Sequence, residues 1–315
     1  MEKHFSSTNV AATGSDCRET LPYRQTPKAM PAGAVGKHGY LRLDFERTAD
    51  GRDLLRSIDR RVPIIVQRAL RFDEEWPELP CVYILSSGGP YVDGDRYEQH
   101  FRMRKGASAF ISTGAATKVA EMRYNHAALH QTITLEEESY LEVLPEPLIP
   151  CRHSRFLSRT ELTVAPSATL CFAEIFSGGR KHAQLPEHFA YDLLSVSTTG
   201  RRPDGTLLFA DKLLVEPARH SPQQLGLLGT YEVFAHVIVL TPPESAEQLY
   251  ALTRAGIDIP HGIATAVSRL PHRSGLMFKV LGRENEPVKR RVRAFCSDVR
   301  WVVKGRRMPE EFPWR

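Results

Sequence analysis

Short runs of alternating apolar and polar residues, cut apart by turn formers, constrain this chain more than any other feature. YLRLDFE (40–46) is the first. Leu41, Leu43 and Phe45 point one way and Tyr40, Arg42, Asp44 and Glu46 the other, as a half-buried strand requires. Further strand candidates lie at 62–70, 81–87, 101–113, 117–124, 130–139, 140–145, 155–165, 168–176, 189–199 and 206–216. Gly88, Gly89 and Pro90, then Asp93 and Gly94, then Pro203, Asp204 and Gly205 supply the turns between them. Many short strands on tight turns predict a mainly β fold.

Helices are expected late. ESAEQLYALTRAG (244–256) opens on Glu244 and Ser245 and has Gly256 as a stop. The second, about 287–305, has Pro287 in its first turn and Gly305 past its end, with an apolar stripe at Val288, Val292, Phe295 and Val299. No Pro/Ser linker splits the body. The expectation is one large β-rich domain over 36–315 ending in a basic helix, preceded by a polar, mobile arm over 1–35.

Composition excludes several classes. Apolar residues are 42% and charged residues 25%, ordinary globular values, and 21 Gly plus 22 Pro fall well short of a low-complexity chain. The net charge of +5 on 315 residues is mild and does not by itself mark a nucleic-acid binder. Five widely spaced cysteines, odd in number and without CxxC, fit free thiols in a reducing compartment. No stretch reaches the length of a membrane helix, and the N-terminus lacks the apolar core of a signal peptide, so a cytoplasmic location is expected.

Catalytic signatures are sparse. There is no GxSxG elbow and no Walker A motif. SSGGPYVDGD (86–95) is glycine-rich, but Asp93 and Asp95 would repel a phosphate, and a turn is the plainer reading. His126 and His130 would meet on a helix but not on the strand their surroundings predict. Cys151 and His153, two apart, would share one strand face and are weak candidates for a soft or borderline metal. Glu142 sits among Leu141, Val143 and Leu144, so its carboxylate needs a partner, structural or functional. Lys289, Arg290, Arg291 and Arg293 make the last helix basic, which suits either solvent or an acidic partner.

Four blocks, taken in order, resemble the UreD (UreH) family of urease accessory proteins. They are GGPYVDGDRYEQHFRMRKGASAFISTGAATKV (88–119), YLEVLPEPLIPCRHSRF (140–156), the segment 174–217 with its GR pair and RPDG turn, and the strand and helix of 275–305. Three departures stand out, the first being that residues 1–30 match no family block. Gly114 replaces a Gln common in the family's Thr-Gln-Ala-Ala-Thr-Lys segment, and CRHSRF follows Pro150 where relatives carry an acidic turn.

The resemblance implies a β-helix-like stack of strands with two helices. It implies a non-enzymatic, cytoplasmic factor that helps insert nickel into apo-urease. The implied partners are the urease structural subunits, a helical UreF-type protein, a UreG-type GTPase reached through it and, indirectly, a UreE-type nickel carrier. No membrane or nucleic acid is expected, and no tightly bound cofactor, only transient Ni2+. From the family blocks, Gly88, Gly89, Gly94, Asp95, Thr117, Lys118, Glu142 and Pro145 are expected to shape a metal path or a partner surface, and Lys289, Arg290, Arg291 and Arg293 to dock a partner. Two alternatives belong to other classes. A metal-dependent hydrolase needs three protein ligands and an open position. An RNA-binding module would use the basic C-terminal segment and bind with steep salt dependence.

Overall fold

The computed structural model describes residues 16–25 and 36–309. Eighteen strands and two helices follow one another as β1 (His38–Arg47), β2 (Asp53–Arg61), β3 (Ile64–Ile65), β4 (Cys81–Ser86), β5 (Arg96–Met103), β6 (Ser108–Thr113), β7 (Thr117–Val119), β8 (Ala127–Leu135), β9 (Tyr140–Val143), β10 (Leu148–Pro150), β11 (Arg155–Val164), β12 (Thr169–Ser177), β13 (Leu193–Arg201), β14 (Leu207–Val215), β15 (Val233–Leu240), α1 (Pro243–Leu252), β16 (Gly256–Asp258), β17 (Ile263–Arg269), β18 (Gly275–Gly282) and α2 (Asn285–Lys304). The mainly β expectation with two late helices is met.

The strands form two sheets. One has the order β14-β13-β11-β8-β5-β1-β2. The other has the main path β16-β17-β18-β15-β12-β9-β6-β4-β3, with β7 and β10 beside it. From β4 to β13 the long strands alternate between the sheets, each laid parallel to the previous strand of its own sheet. The short strands β7 and β10 pair with each other. Antiparallel strands close the ends: β2 and β14 on the first sheet, and β15, β18, β17 and β16 on the second.

Alternation decides what each strand buries. Leu41, Leu43 and Phe45 of β1 enter the core between the sheets. In β12, Leu170, Phe172 and Phe176 face that core, while Cys171, Ala173 and Ile175 face the other way under α2. A strand buried on both faces reads as a near-continuous apolar run, and ATLCFAEIF is one, broken inside only by Thr169 and Glu174. Helix α2 covers this outer face with Val288, Val292, Phe295, Cys296 and Val299. It ends at Gly305, whose left-handed φ of 67° lets its N–H reach the Trp301 carbonyl. All five cysteines are free.

Several runs end sooner than their composition suggests. In 62–70 only Ile64–Ile65 is strand, because a turn at Val62 and Pro63 delays it and Leu70 makes only a bridge to Cys81. The run 101–113 is two strands, β5 and β6, parted by a turn at Gly106 with φ 70°. The run 117–124 keeps only β7. Helix α1 stops at Leu252, and Gly256 instead opens β16.

Cys151 and His153 are not on one strand face. β10 ends at Pro150, and His153 sits in the turn beyond it with φ 53°. Part of the expected arm is docked: Asp16 pairs with Arg159 at 2.9 Å, Glu19 holds Ser195 and Lys212 at 2.7 Å each, and Arg155 lies over the Tyr23 ring. The rest of that expectation, residues 1–15 and 26–35, lies outside the described residues.

Candidate functional site: a polar interior between two sheets

The core between the sheets is largely apolar, and one row on the first sheet interrupts it. Gln99 on β5, Gln131 on β8, Thr160 on β11 and Thr198 on β13 are register partners from strand to strand. All four are buried. Gln131 Nε2 donates to Gln99 Oε1 at 2.9 Å. The hydroxyls of Thr160, Thr198 and neighbouring Ser158 find no protein partner among the described residues. Buried hydroxyls of that kind are ordinarily met by water.

A cavity of about 100 Å³ opens beside this row, with Gln99, Gln131 and Ser158 on its wall. Glu174 of β12 faces them from the second sheet. Its Oε2 lies 2.9 Å from Nε2 of His236, the register partner on β15. Both side chains are nearly buried, at 13% and 5% exposed, so an acid–base pair stands inside the sandwich. Glu146 is on the wall as well and binds Lys289 of α2 at 2.8 Å. The interior thus offers carboxylates, amides, hydroxyls and one imidazole on facing sheets.

The expected site residues distribute around this cavity unevenly. Thr117 and Pro145 line it. The Gly88–Asp95 turn contributes through Tyr91, also on the wall, whose N–H donates to the Lys118 carbonyl. Gly89 and Gly94 take φ values of 71° and 79° in that turn. A side chain on Gly88 would press on Pro63. Asp95 is fully buried, and its two oxygens accept the backbone N–H groups of Lys37 (2.9 Å) and Val92 (3.0 Å). Burial raises its pKa, and these hydrogen bonds oppose the rise. Asp93 accepts three further N–H groups, from Arg123, Tyr124 and Asn125. The acidic pair in the glycine-rich turn therefore holds backbone.

Glu142 faces the opposite side of β9, away from the cavity. Arg300 of α2 meets it with two parallel hydrogen bonds of 2.8 and 2.7 Å, and Asp73 takes a third at 2.5 Å. All three side chains are fully buried. Tyr140 donates to Glu142 at 2.5 Å, and burial beside that carboxylate pushes its pKa well up. Burial alone would lower the Arg300 pKa, but the charge of Glu142 and its hydrogen bonds hold it above its ordinary value. The partner that Glu142 requires is thus a buried guanidinium that ties α2 to the second sheet.

Lys118 points into a separate cleft of about 360 Å³ beside Arg180 and Lys181. Gly114 lies with its missing Cβ 2.2 Å from Leu85, so a Gln here would have to displace that leucine. Cys151 is half-buried, its thiol pushed up by burial, and His153 is turned to Asp192 at 3.1 Å. No three His, Cys, Asp or Glu side chains among the described residues form a group that could hold a metal ion. His126 turns its Nδ1 to the Tyr23 carbonyl, while His130 lies on the outer face of β8 beside Glu161. Of the four basic candidates on α2, Lys289 is paired with Glu146, Arg291 bonds the Arg254 carbonyl and Arg293 bonds the Pro309 carbonyl. Arg290 is the most open, at 73% exposed.

Comparison with known proteins supplies the context for this interior. The family model "UreD urease accessory protein" matches residues 37–315. The chain belongs to the UreD family. It is 43% identical to "Urease accessory protein UreD 2" of Brucella suis over 94% of this chain and 98% of the relative. It is 40% identical to "Urease accessory protein UreD" of Photorhabdus laumondii, over 96% and 94%. It is 39% identical to the protein of that name in Yersinia pseudotuberculosis, over 98% and 96%. The match spans the whole two-sheet body of this UreD-family chain, including every strand that lines the cavity.

Sequence reasoning did not single out Gln99, Gln131, Glu174 or His236. The signal was present. Each is a polar residue at a position whose neighbours two away are apolar: Tyr97 and Phe101 around Gln99, Phe172 and Phe176 around Glu174, Phe234 and Ile238 around His236. A polar side chain in phase with a buried stripe is costly unless it is paired or used.

Proposed function

We propose that this chain acts in urease maturation by binding the apo-urease subunits and supporting the delivery of nickel to them. In this reading it works with a UreF-type protein and, through it, a UreG-type GTPase, while a UreE-type carrier contributes indirectly. Family membership supports the setting. The observation that carries the physical part is the polar row and the Glu174–His236 pair inside a largely apolar core.

Nickel must be kept from copper and zinc by controlled handover, because affinity alone favours copper. Side chains that ligate weakly and one at a time suit a cargo that has to leave again. Glu174, His236 and Glu146 offer oxygen and nitrogen donors of this kind, and the amides and hydroxyls of the facing sheet can carry water. The chain's own part is to position these groups between two rigid sheets and to shield the lane from bulk solvent. Nickel is here the cargo, and no cofactor is assigned to the chain.

The test is co-expression of the urease subunits and the other accessory proteins with and without this chain, followed by assay of nickel per urease active site. Nickel-poor, inactive urease that is restored by adding the chain back is expected. Full loading without the chain would sink the proposal.

A further inference from the structure

The hairpin of β16 and β17 and one face of α2 wall an open groove of about 540 Å³. From α2 come Pro287, Arg290, Arg291 and Ala294. Steps of three, one and three residues keep these on one side of the helix, over two turns or roughly 10 Å. The hairpin brings Ile257 and Ile263 to the groove, with Arg254 and His261 beside them.

Two features mark this groove. The first is apolar exposure. Ile257 is 73% exposed, and Ile259 at the hairpin tip is 74% exposed. Large β-branched side chains presented together on a raised element are typical of a contact surface. The second is charge. Among the described residues, three guanidiniums and an imidazole line the groove against a single carboxylate, Asp258, which His261 already holds at 2.9 Å. Among the described residues Arg290 meets one carboxylate, Glu286 at 3.8 Å, and Arg291 spends one N–H on the Arg254 carbonyl. Among the described residues no carboxylate pairs with Arg254 or Arg291.

We infer that this groove is a docking site for an acidic amphipathic helix of a protein partner. The occupant's apolar stripe would lie on Ile257, Pro287 and Ala294, and its carboxylates on Arg254 and Arg290. A helix fits because the α2 wall repeats at helical spacing and Ala294, small and exposed, allows close approach. A strand fits less well, since β16 offers an edge of only three residues. This inference needs a protein partner and rests on the maturation reading only for that.

The test uses the full chain and a fluorescein-labelled synthetic peptide of roughly 18 residues, long enough to be helical, with Leu on one face and Glu on the other. Comparators are a scrambled peptide, a version with Lys for Glu, and a single-stranded RNA. Saturable binding of the acidic amphipathic peptide alone is expected by fluorescence anisotropy. Arg254→Glu with Arg290→Glu should weaken it at least about tenfold, Ile257→Asp should weaken it similarly, and Arg219→Glu, which is not among the residues lining the groove, should not. All four residues are exposed, so the variants should melt like the parent. Equal binding by the charge-reversed chain would overturn the inference. So would equal binding of the scrambled, basic or RNA probe, or no binding at all. Neither urease nor nickel is present in this assay, so its failure would leave the nickel proposal standing.

Discussion

At the scale of single residues, the decisive one is Arg300. It is a fully buried cation held by two carboxylates, Glu142 and Asp73. Removing one member of such a set leaves uncompensated buried charge, which costs about 3–5 kcal/mol. Arg300→Met should therefore lower stability by about that amount, read from the chemical denaturation midpoint of the full chain. Adding Glu142→Gln should recover part of the loss, because residues in one network do not contribute additively. An unchanged midpoint in Arg300→Met would show that the cluster is not what holds α2 down. The need for a partner at Glu142 was legible from its apolar neighbours. The partner was not, because 158 residues separate the two and no motif links them. Its helix reads as basic and solvated, and only the phase of Val292, Phe295 and Val299 places position 300 toward the sheet.

At the scale of elements, strand phase was readable and strand ends were not. β1, β11 and β12 fall where alternation or near-continuous apolar runs put them. β2 escaped because it is an edge strand rich in charge, DLLRSIDRR, with only one neighbour to satisfy. The late hairpin of β16 and β17 escaped because β16 has three exposed residues and β17 fully buries only Ile263. The segment between β12 and β13 shows how an irregular element is held. Arg180 donates two hydrogen bonds to Glu187, whose carboxylate also accepts the Arg152 N–H at 3.0 Å. The Arg180 hydrogen bonds hold the Glu187 pKa below its ordinary value, against burial. A carboxyl depressed in the folded state adds stability above its unfolded pKa, about 4.3, and loses it as pH falls through the folded value. Residues 178–188 should therefore lose hydrogen-exchange protection below about pH 4, ahead of the core strands. Arg180→Gln should open the same segment at neutral pH. Protection in this segment that is independent of both pH and Arg180 would refute the assignment.

At the scale of the whole molecule, the two-sheet body holds its polar interior against the trend of its own core. A pair such as Gln99 and Gln131 gains little net stability, because its hydrogen bond only replaces bonds to water. Replacing both partners with apolar groups of similar shape is often neutral or stabilising. Gln99→Leu with Gln131→Leu should thus leave the melting midpoint unchanged or raise it, while removing the polar wall opposite Glu174. If the interior serves the cargo, the same variant should fail to restore nickel to urease in the co-expression assay, although it still binds the subunits. The two readouts separate the explanations. A lower midpoint with normal nickel loading would make the row a structural element. An unchanged midpoint with normal loading would remove the interior from the delivery route altogether. An equal or higher midpoint with nickel-poor urease is the expected result. It would mean that these sheets keep amides in their core for what passes between them, since stability gains nothing from the pair.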